Sequence, residues 1–275
     1  MVLPRTHSSP GAPMHYYSTT GMTEEQFDEL ADRVSEVLVS HGLDERAFLL
    51  SFSRQLEVVL VMLRQNVTEM VAAELFGVSQ STVSRIKERI EPVVSEVLAC
   101  METTLQEAGE GRVLVVDGTF VPTGNRPGHG RDLEKENYSG KYRAQCVNIQ
   151  VACLTDGSLV AVSDTVPGRR NDSAALKITG WEKTLEDIDW VADTAYVGTN
   201  AVTPRKKPQG TTRTEADRMF NRSVSSIRSA VEHSIRHLKE WKILATGYRS
   251  RLSDLPGTIR TVTRLELYRE AFCLR

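Results

Sequence analysis

Arg112-Val-Leu-Val-Val-Asp-Gly-Thr119 is an apolar run that breaks off on a carboxylate, Asp117. Val and Leu bounded by glycine read as a buried central strand. A charge is costly inside such a strand, but at the strand's open end it meets solvent or a metal. The pattern returns in Asp189-Trp-Val-Ala-Asp-Thr-Ala-Tyr196, a second short strand delivering Asp193. A third acid, Glu232, lies in residues 229–241, which read as a helix. Asp117 and Asp193 are 76 residues apart and Glu232 is 39 further on, so no local calcium-type loop fits. Adjacent strand ends can bring the two aspartates together, with the glutamate leaning in from a covering helix. Salt-bridge and acid/base roles stay open for any one carboxylate. The ordered set suits a phosphodiester centre with two divalent ions about 4 Å apart.

The flanks of Glu232 add positive charge. Arg228, Arg236 and Lys239 stand at −4, +4 and +7 from it, on one helical face. An ion pair with Glu232 accounts for one of them; phosphate contacts would use the surplus. The same bias holds at larger scale. Residues 199–275 carry sixteen Lys or Arg against seven acids, whereas residues 22–60 carry nine acids against three bases. Beside an acidic site, a basic C-terminal third fits a polyanion.

Upstream, residues 67–90 have the layout of a helix-turn-helix. A short helix near 68–76 leads to a turn at Gly77-Val-Ser79 and a helix near 80–90. Ala72 and Ala73 let the helices approach, and Gly77 supplies the turn conformation. Val78, Val83 and Ile86 face inward, leaving Gln80, Ser81, Ser84, Arg85 and Lys87 for base edges and phosphates. An ordinary helical hairpin is the alternative. Pro92 is expected to kink or end this helix unless it sits in a first turn, with a new helix from there to about Ala108.

The remaining organisation follows from local signals. Residues 1–21 hold three prolines and no acid and read as an unfolded leader, with Met1 or Met14 as start. Thr23-Glu-Glu-Gln26 has capping-box spacing for a first helix, and a second spans 44 to about 63. Residues 22–108 thus form an all-α domain. Residues 112–275 alternate strands (112–117, 143–154, 158–166, 189–193) with helices (172–177, 214–240, 257–273), an α/β domain opening on a hairpin. Segment 121–141 reads as a surface loop. Asn171-Asp172-Ser173 reads as a helix N-cap, with metal ligation by Asp172 the alternative. Cys100, Cys146, Cys153 and Cys273 have no metal-ligand spacing and read as reduced thiols. No segment spans a bilayer, so a cytoplasmic, nucleoid-associated protein is expected.

The ordered motifs Val-Asp117-Gly-Thr, Ala-Asp193-Thr-Ala-Tyr and Val-Glu232-His resemble the catalytic triad of DDE transposases. The resemblance is to bacterial insertion-sequence enzymes with Harbinger-like DDE endonuclease domains, and it covers about residues 15–272. Segments 138–142, 166–173, 203–208 and 221–223 support it. Related enzymes share a Tyr-(2)-Arg-(3)-Glu-(6)-Lys signature, which Arg228, Glu232 and Lys239 fit while Ser225 replaces the tyrosine. Thr194-Ala195 stands where relatives often have Lys/Arg-Gly.

The resemblance implies an α/β ribonuclease H-like catalytic domain, a mixed sheet flanked by helices, behind the helix-turn-helix. It implies Asp117, Asp193 and Glu232 as ligands of two Mg2+ ions, with Mn2+ as a substitute and Asp117 bridging both. Lys141, Arg205, Lys206 and Lys207 are expected at phosphates, with double-stranded DNA (transposon ends and target) as partner and a homodimer on it. Competing readings are a catalytically inactive helix-turn-helix protein and a nuclease without strand transfer.

Overall fold

The computed structural model describes residues 13–124, 131–207, 209–210 and 212–273. Residues 1–12 of the expected leader lie outside the described residues. Residues 13–20 are not unfolded as expected: they form helix α1 (Pro13–Thr20), which packs on α3. Helix α2 (Glu24–Ser40) begins with the capping box read from sequence: Thr23 Oγ1 accepts from Gln26 N, and Gln26 Oε1 accepts from Thr23 N. The second expected helix starts later than residue 44. A 3-10 turn fills Glu45–Ala47, and α3 (Phe52–Gln65) begins only where Ser51 caps it. Glu45 Oε1 accepts from the Phe52 N–H, which holds the turn against the new helix.

The helix-turn-helix is α4 (Glu69–Phe76) and α5 (Gln80–Val97), with Gly77 in the left-handed region at φ +66. Capping by Thr68 and Ser79 satisfies first-turn N–H groups that would otherwise lack partners. Contrary to expectation, Pro92 does not end α5. Proline removes one donor, and the orphaned carbonyl belongs to Glu88, an exposed residue, so the helix can run on at small cost. The separate helix expected up to Ala108 is instead a 3-10 turn at Ala99–Met101 and a short α6 (Leu105–Gly109).

A mixed six-stranded sheet follows. Strand β1 (Leu114–Pro122) leads past α7 (Arg131–Asn137) to β2 (Tyr138–Ser139) and β3 (Ala144–Leu154), so segment 121–141 is not all loop. The expected strand 158–166 is split into β4 (Leu159–Val162) and β5 (Val166–Pro167), both antiparallel to β3. Helices α8 (Asp172–Ile178) and α9 (Trp181–Thr184) precede β6 (Trp190–Val191), then come α10 (Glu215–Glu240) and α11 (Leu255–Cys273). The strand order is β2-β3-β1-β6; β1 and β6 run parallel, and the β1–β3 and β2–β3 pairs are antiparallel.

Side chains alternate across β1 and β3 as the pleat requires. Val115, Val121, Val147, Ile149 and Val151 face a core shared with α2, α3, α5, α10 and α11. Leu114, Val116 and Ala152 face the other way, toward Leu176, Leu185, Trp190 and Tyr196. The last helix, α11, thus binds the N-terminal helices to the sheet. Among the described residues no helix is long and apolar enough to cross a membrane.

Candidate active site

Asp117 is not at the end of its strand. β1 continues to Pro122, and Asp117 pairs opposite Val151 of β3. What ends near Asp117 is its other neighbour. β6 pairs in parallel with Leu114 and Val115, in the register Leu114↔Trp190 and Val115↔Val191, and stops there. The edge of β1 beyond Val115 is therefore open, and the half-buried carboxylate keeps access to solvent. Asp193 comes two residues after the last paired residue of β6, as Asp117 does on β1, and lies near enough to push the Asp117 carboxyl up. Parallel neighbours lie about 5 Å apart along the hydrogen-bonding direction, so the 76-residue separation is closed by one strand pairing. Asp193 then turns the chain: its Oδ1 accepts from Ala195 N at 2.6 Å, capping the 3-10 turn Thr194–Tyr196.

Helix α10 covers the face of the sheet toward which Asp117 points. Arg228 Nη2 lies 3.3 Å from Asp117 Oδ2, and further along α10 the Lys239 Nζ donates to the Phe120 carbonyl. These two contacts bracket Glu232, one turn beyond Arg228 on the same shoulder of the helix. The Glu232 side chain is exposed and has no ion-pair partner among the described residues. Burial pushes Asp117 up to about 6; Arg228 and the Gly118 N–H pull it down, and Asp193 and Asp172 push it further up. Asp117, Asp193 and Asp172 lie close enough to feel one another, and one arginine only partly offsets them. Glu232 does not act on Asp117, and the ligand atoms of Asp117, Asp193 and Glu232 are not gathered within 4.8 Å.

Asp172 differs from its expected role. Asn171 is the cap of α8, accepting from Ala174 N at 2.8 Å, and the Asp172 carboxylate turns inward. It approaches β1 from the face opposite α10. Its Oδ1 occupies the space a side chain on residue 118 would need: a Cβ there would stand 2.2 Å away. A glycine inside a strand marks such a close approach. Asp172 Oδ1 accepts from Asn148 Nδ2 at 2.9 Å, Asn148 Oδ1 from Gln150 Nε2 at 3.3 Å, and Gln150 Oε1 from Tyr196 Oη at 2.5 Å. This buried chain crosses the sheet and ties the Asp193 turn to Asp172. The signal in the sequence was Val147-Asn-Ile-Gln-Val151, two amides on one face of an apolar strand. Lys141, largely exposed, lies 3.7 Å from Asp172 Oδ2.

The expected DNA contacts divide. Arg85, Lys206 and Lys207 are exposed, and Ser81 and Gln80 sit on the open first turn of α5, where Gln80 donates to the Glu69 carboxylate. Ser84 is half-buried. Arg205 is exposed but pairs with Asp217 at 3.0 Å, and Arg236 is exposed against His233. Three residues are engaged within the chain. Lys87 is turned away from the open face of α5, donating to Ser250 Oγ at 2.7 Å. Arg228 is held by Asp117 and not by Glu232. Lys239 lies inside, donating to the Phe120 and Leu244 carbonyls. In each case a carbonyl, hydroxyl or carboxylate from a distant segment captures a long cationic side chain that the helical wheel alone assigns to solvent.

Comparison with known proteins agrees with this layout. The DDE superfamily endonuclease family matches residues 116–266, and the helix-turn-helix of DDE superfamily endonuclease matches residues 48–100. The chain is 30% identical over 231 residues to a protein of Streptomyces albus G named as transposase for insertion sequence element IS112. That alignment covers 82% of this chain and 83% of the relative. It is 28% identical over 185 residues to one of Microchaete diplosiphon named as transposase for insertion sequence element IS702, covering 64% and 65%. No solved structure matches. The chain thus belongs to the DDE superfamily endonucleases, with that superfamily's helix-turn-helix ahead of the endonuclease segment.

Proposed function

We propose that this protein is an insertion-sequence transposase that binds the ends of its element and cuts and rejoins DNA at Asp117, Asp193 and Glu232. The observation that supports this reading is that the parallel β1–β6 pair ends two residues before Asp117 and two before Asp193, that Asp193 acts on the Asp117 carboxyl, and that Arg228 of the helix bearing Glu232 holds Asp117. The sheet order, with one parallel pair and helices on both faces, suits a ribonuclease H-like domain at 112–275 behind a DNA-reading region at 22–108. The donor set fits a hard divalent cation: carboxylate oxygens with no thiol or imidazole among them. Asp117, Asp193 and Glu232 would hold Mg2+ or Mn2+, two ions in the reading adopted here. When bound, the metal supplies Lewis-acid activation of the attacking oxygen and stabilisation of the leaving one.

The chain's own residues supply the rest. Arg228 keeps the Asp117 carboxylate aimed across β1, and the Asp193 cap fixes the turn after β6. In the first step a water oxygen attacks the phosphorus at the element end, the P–O3′ bond breaks, and the leaving 3′ oxygen takes up the proton that the water gives up. In the second step that 3′-hydroxyl attacks a target phosphodiester. A new P–O3′ bond forms as the target's own breaks, with the proton passing to the released target 3′-hydroxyl. Gln80, Ser81, Ser84 and Arg85 on α5 would read the ends, with Lys206 and Lys207 on phosphates and two copies of the chain handling two ends.

Supercoiled DNA carrying the element's terminal repeats tests the reading. Mg2+-dependent nicking at the ends, lost in Asp117→Ala, Asp193→Ala and Glu232→Ala, is the expected result. Unchanged nicking in Asp117→Ala overturns the catalytic assignment. End binding without any nicking favours the inactive DNA-binding alternative, and nicking without joining to a second DNA favours a plain nuclease.

A further inference from the structure

On the side of α10 away from Asp117, His237 meets Glu266 and Glu270 of α11. One donor atom from each of the three residues lies within 4.8 Å of the others, the only such group of acidic, histidine or cysteine side chains among the described residues. We propose that His237, Glu266 and Glu270 form a second metal site, separate from the carboxylates around Asp117, that takes a Zn2+-class ion and ties α10 to α11.

The two glutamates are already held as metal ligands usually are, each with one oxygen fixed by an outer partner. Glu266 Oε2 accepts from Trp241 Nε1 at 2.8 Å and from Arg269 Nη1 at 2.6 Å. A Glu270 oxygen accepts from the Leu159 N–H of β4 at 2.8 Å. The other Glu266 oxygen, on a side chain 2% exposed, accepts no hydrogen bond among the described residues. It faces His237 Nδ1 at 3.9 Å, too long for a hydrogen bond. That oxygen, facing an imidazole nitrogen it does not bond, is a position a shared cation can take.

Charge points the same way. The surrounding cluster holds Glu240, Glu266 and Glu270 against Arg64 and Arg269, with Arg64 already on Glu240 at 2.8 Å and Arg269 on Glu266. That leaves Glu270 without an arginine ion pair of its own beside His237, and a cation bound there favours its charged form. An imidazole beside two carboxylates selects a borderline ion such as Zn2+ over Mg2+. Tetrahedral zinc needs ligand atoms roughly 3.5 Å apart, so closure asks for about 1 Å of side-chain movement, which the half-exposed His237 can make. His233, one turn earlier, faces Arg236 and stands outside the set.

The test is Zn2+ titration of the chelator-treated full chain by calorimetry, with thermal midpoints measured in parallel. Using Asp117→Asn protein removes a contribution from the proposed DNA-cleavage site. The expected result is one equivalent of Zn2+ in that protein, raising its midpoint, and at least tenfold weaker binding when His237→Gln is added. Absence of that equivalent, or binding that His237→Gln leaves unchanged, overturns the proposal. Should His237→Gln fail to fold, Glu270→Gln replaces it, since the amide oxygen still accepts from Leu159 N–H. Loss of nicking with zinc binding intact bears only on the proposed catalytic reading, so the two failures are separable.

Discussion

Arg228 of α10 holds Asp117 of β1, Nη2 to Oδ2 at 3.3 Å, with both side chains 18% exposed. The pair joins the helix that carries Glu232 to the strand that carries the first aspartate. Arg228→Met removes the cation and leaves a half-buried carboxylate whose charged form burial already disfavours. Metal-free protein should lose about 1–3 kcal/mol in urea unfolding. Unaltered stability would show that the pair contributes no more than a surface contact.

Gly118→Ala tests the close approach of Asp172. The new Cβ meets Asp172 Oδ1 at 2.2 Å and Gln150 Nε2 at 3.1 Å, so the carboxylate and the Asn148–Gln150 chain behind it must shift. A cost of about 1–3 kcal/mol is expected from the overpacking, together with a large fall in nicking. A variant with wild-type stability and wild-type nicking would mean that the gap beside β1 has no role.

Arg85 and Lys239 should part company in DNA binding. Arg85 is exposed on α5, whereas Lys239 is spent on two backbone carbonyls, and burial pushes its ammonium down to about 8. Arg85→Ala should weaken binding to the element ends and lower the salt slope by about one. Lys239→Ala should leave that slope unchanged and lower the melting temperature instead. The reverse pattern would restore Lys239 as a phosphate contact.

Glu270 gives a pH signature. Burial pushes its carboxyl up to about 7; the Leu159 N–H pulls it down, and the neighbouring Glu266 pushes it further up. The folded chain then holds a proton that the unfolded chain releases near pH 4.5. The contribution to stability is full below that pH and is lost as pH rises through about 7. Compared with Glu270→Gln in chelator, the wild type should lose on the order of 1 kcal/mol across this window, after allowance for partial exposure. Thermal midpoints for both proteins at several pH values measure it, and a difference that grows in the wild type's favour with pH contradicts it.

Much of the fold was legible because its signals are local. The Thr23–Gln26 box and the Gly77 turn each act within a few residues, and each element begins or ends where they place it. Pro92 was misleading because its cost depends on whether the orphaned carbonyl reaches water, which is a property of the packed helix. Asn171-Asp172 was half legible: the cap was readable, but which side chain supplies it and where the other turns depends on Gly118 and Asn148.

By itself, the sequence determined the order of the three acids, the apolar runs that deliver two of them and the amphipathic helix that carries the third. Those follow from residue type and period alone. Only the tertiary structure decided that β6 stops beside Asp117 while β1 runs on, that Arg228 takes Asp117 as its partner, and that Lys239 and Lys87 turn away from solvent. Each of these joins residues scores of positions apart. Helical and strand periods say which face a side chain leaves from, and the partner waiting on that face is set by strand register and helix packing.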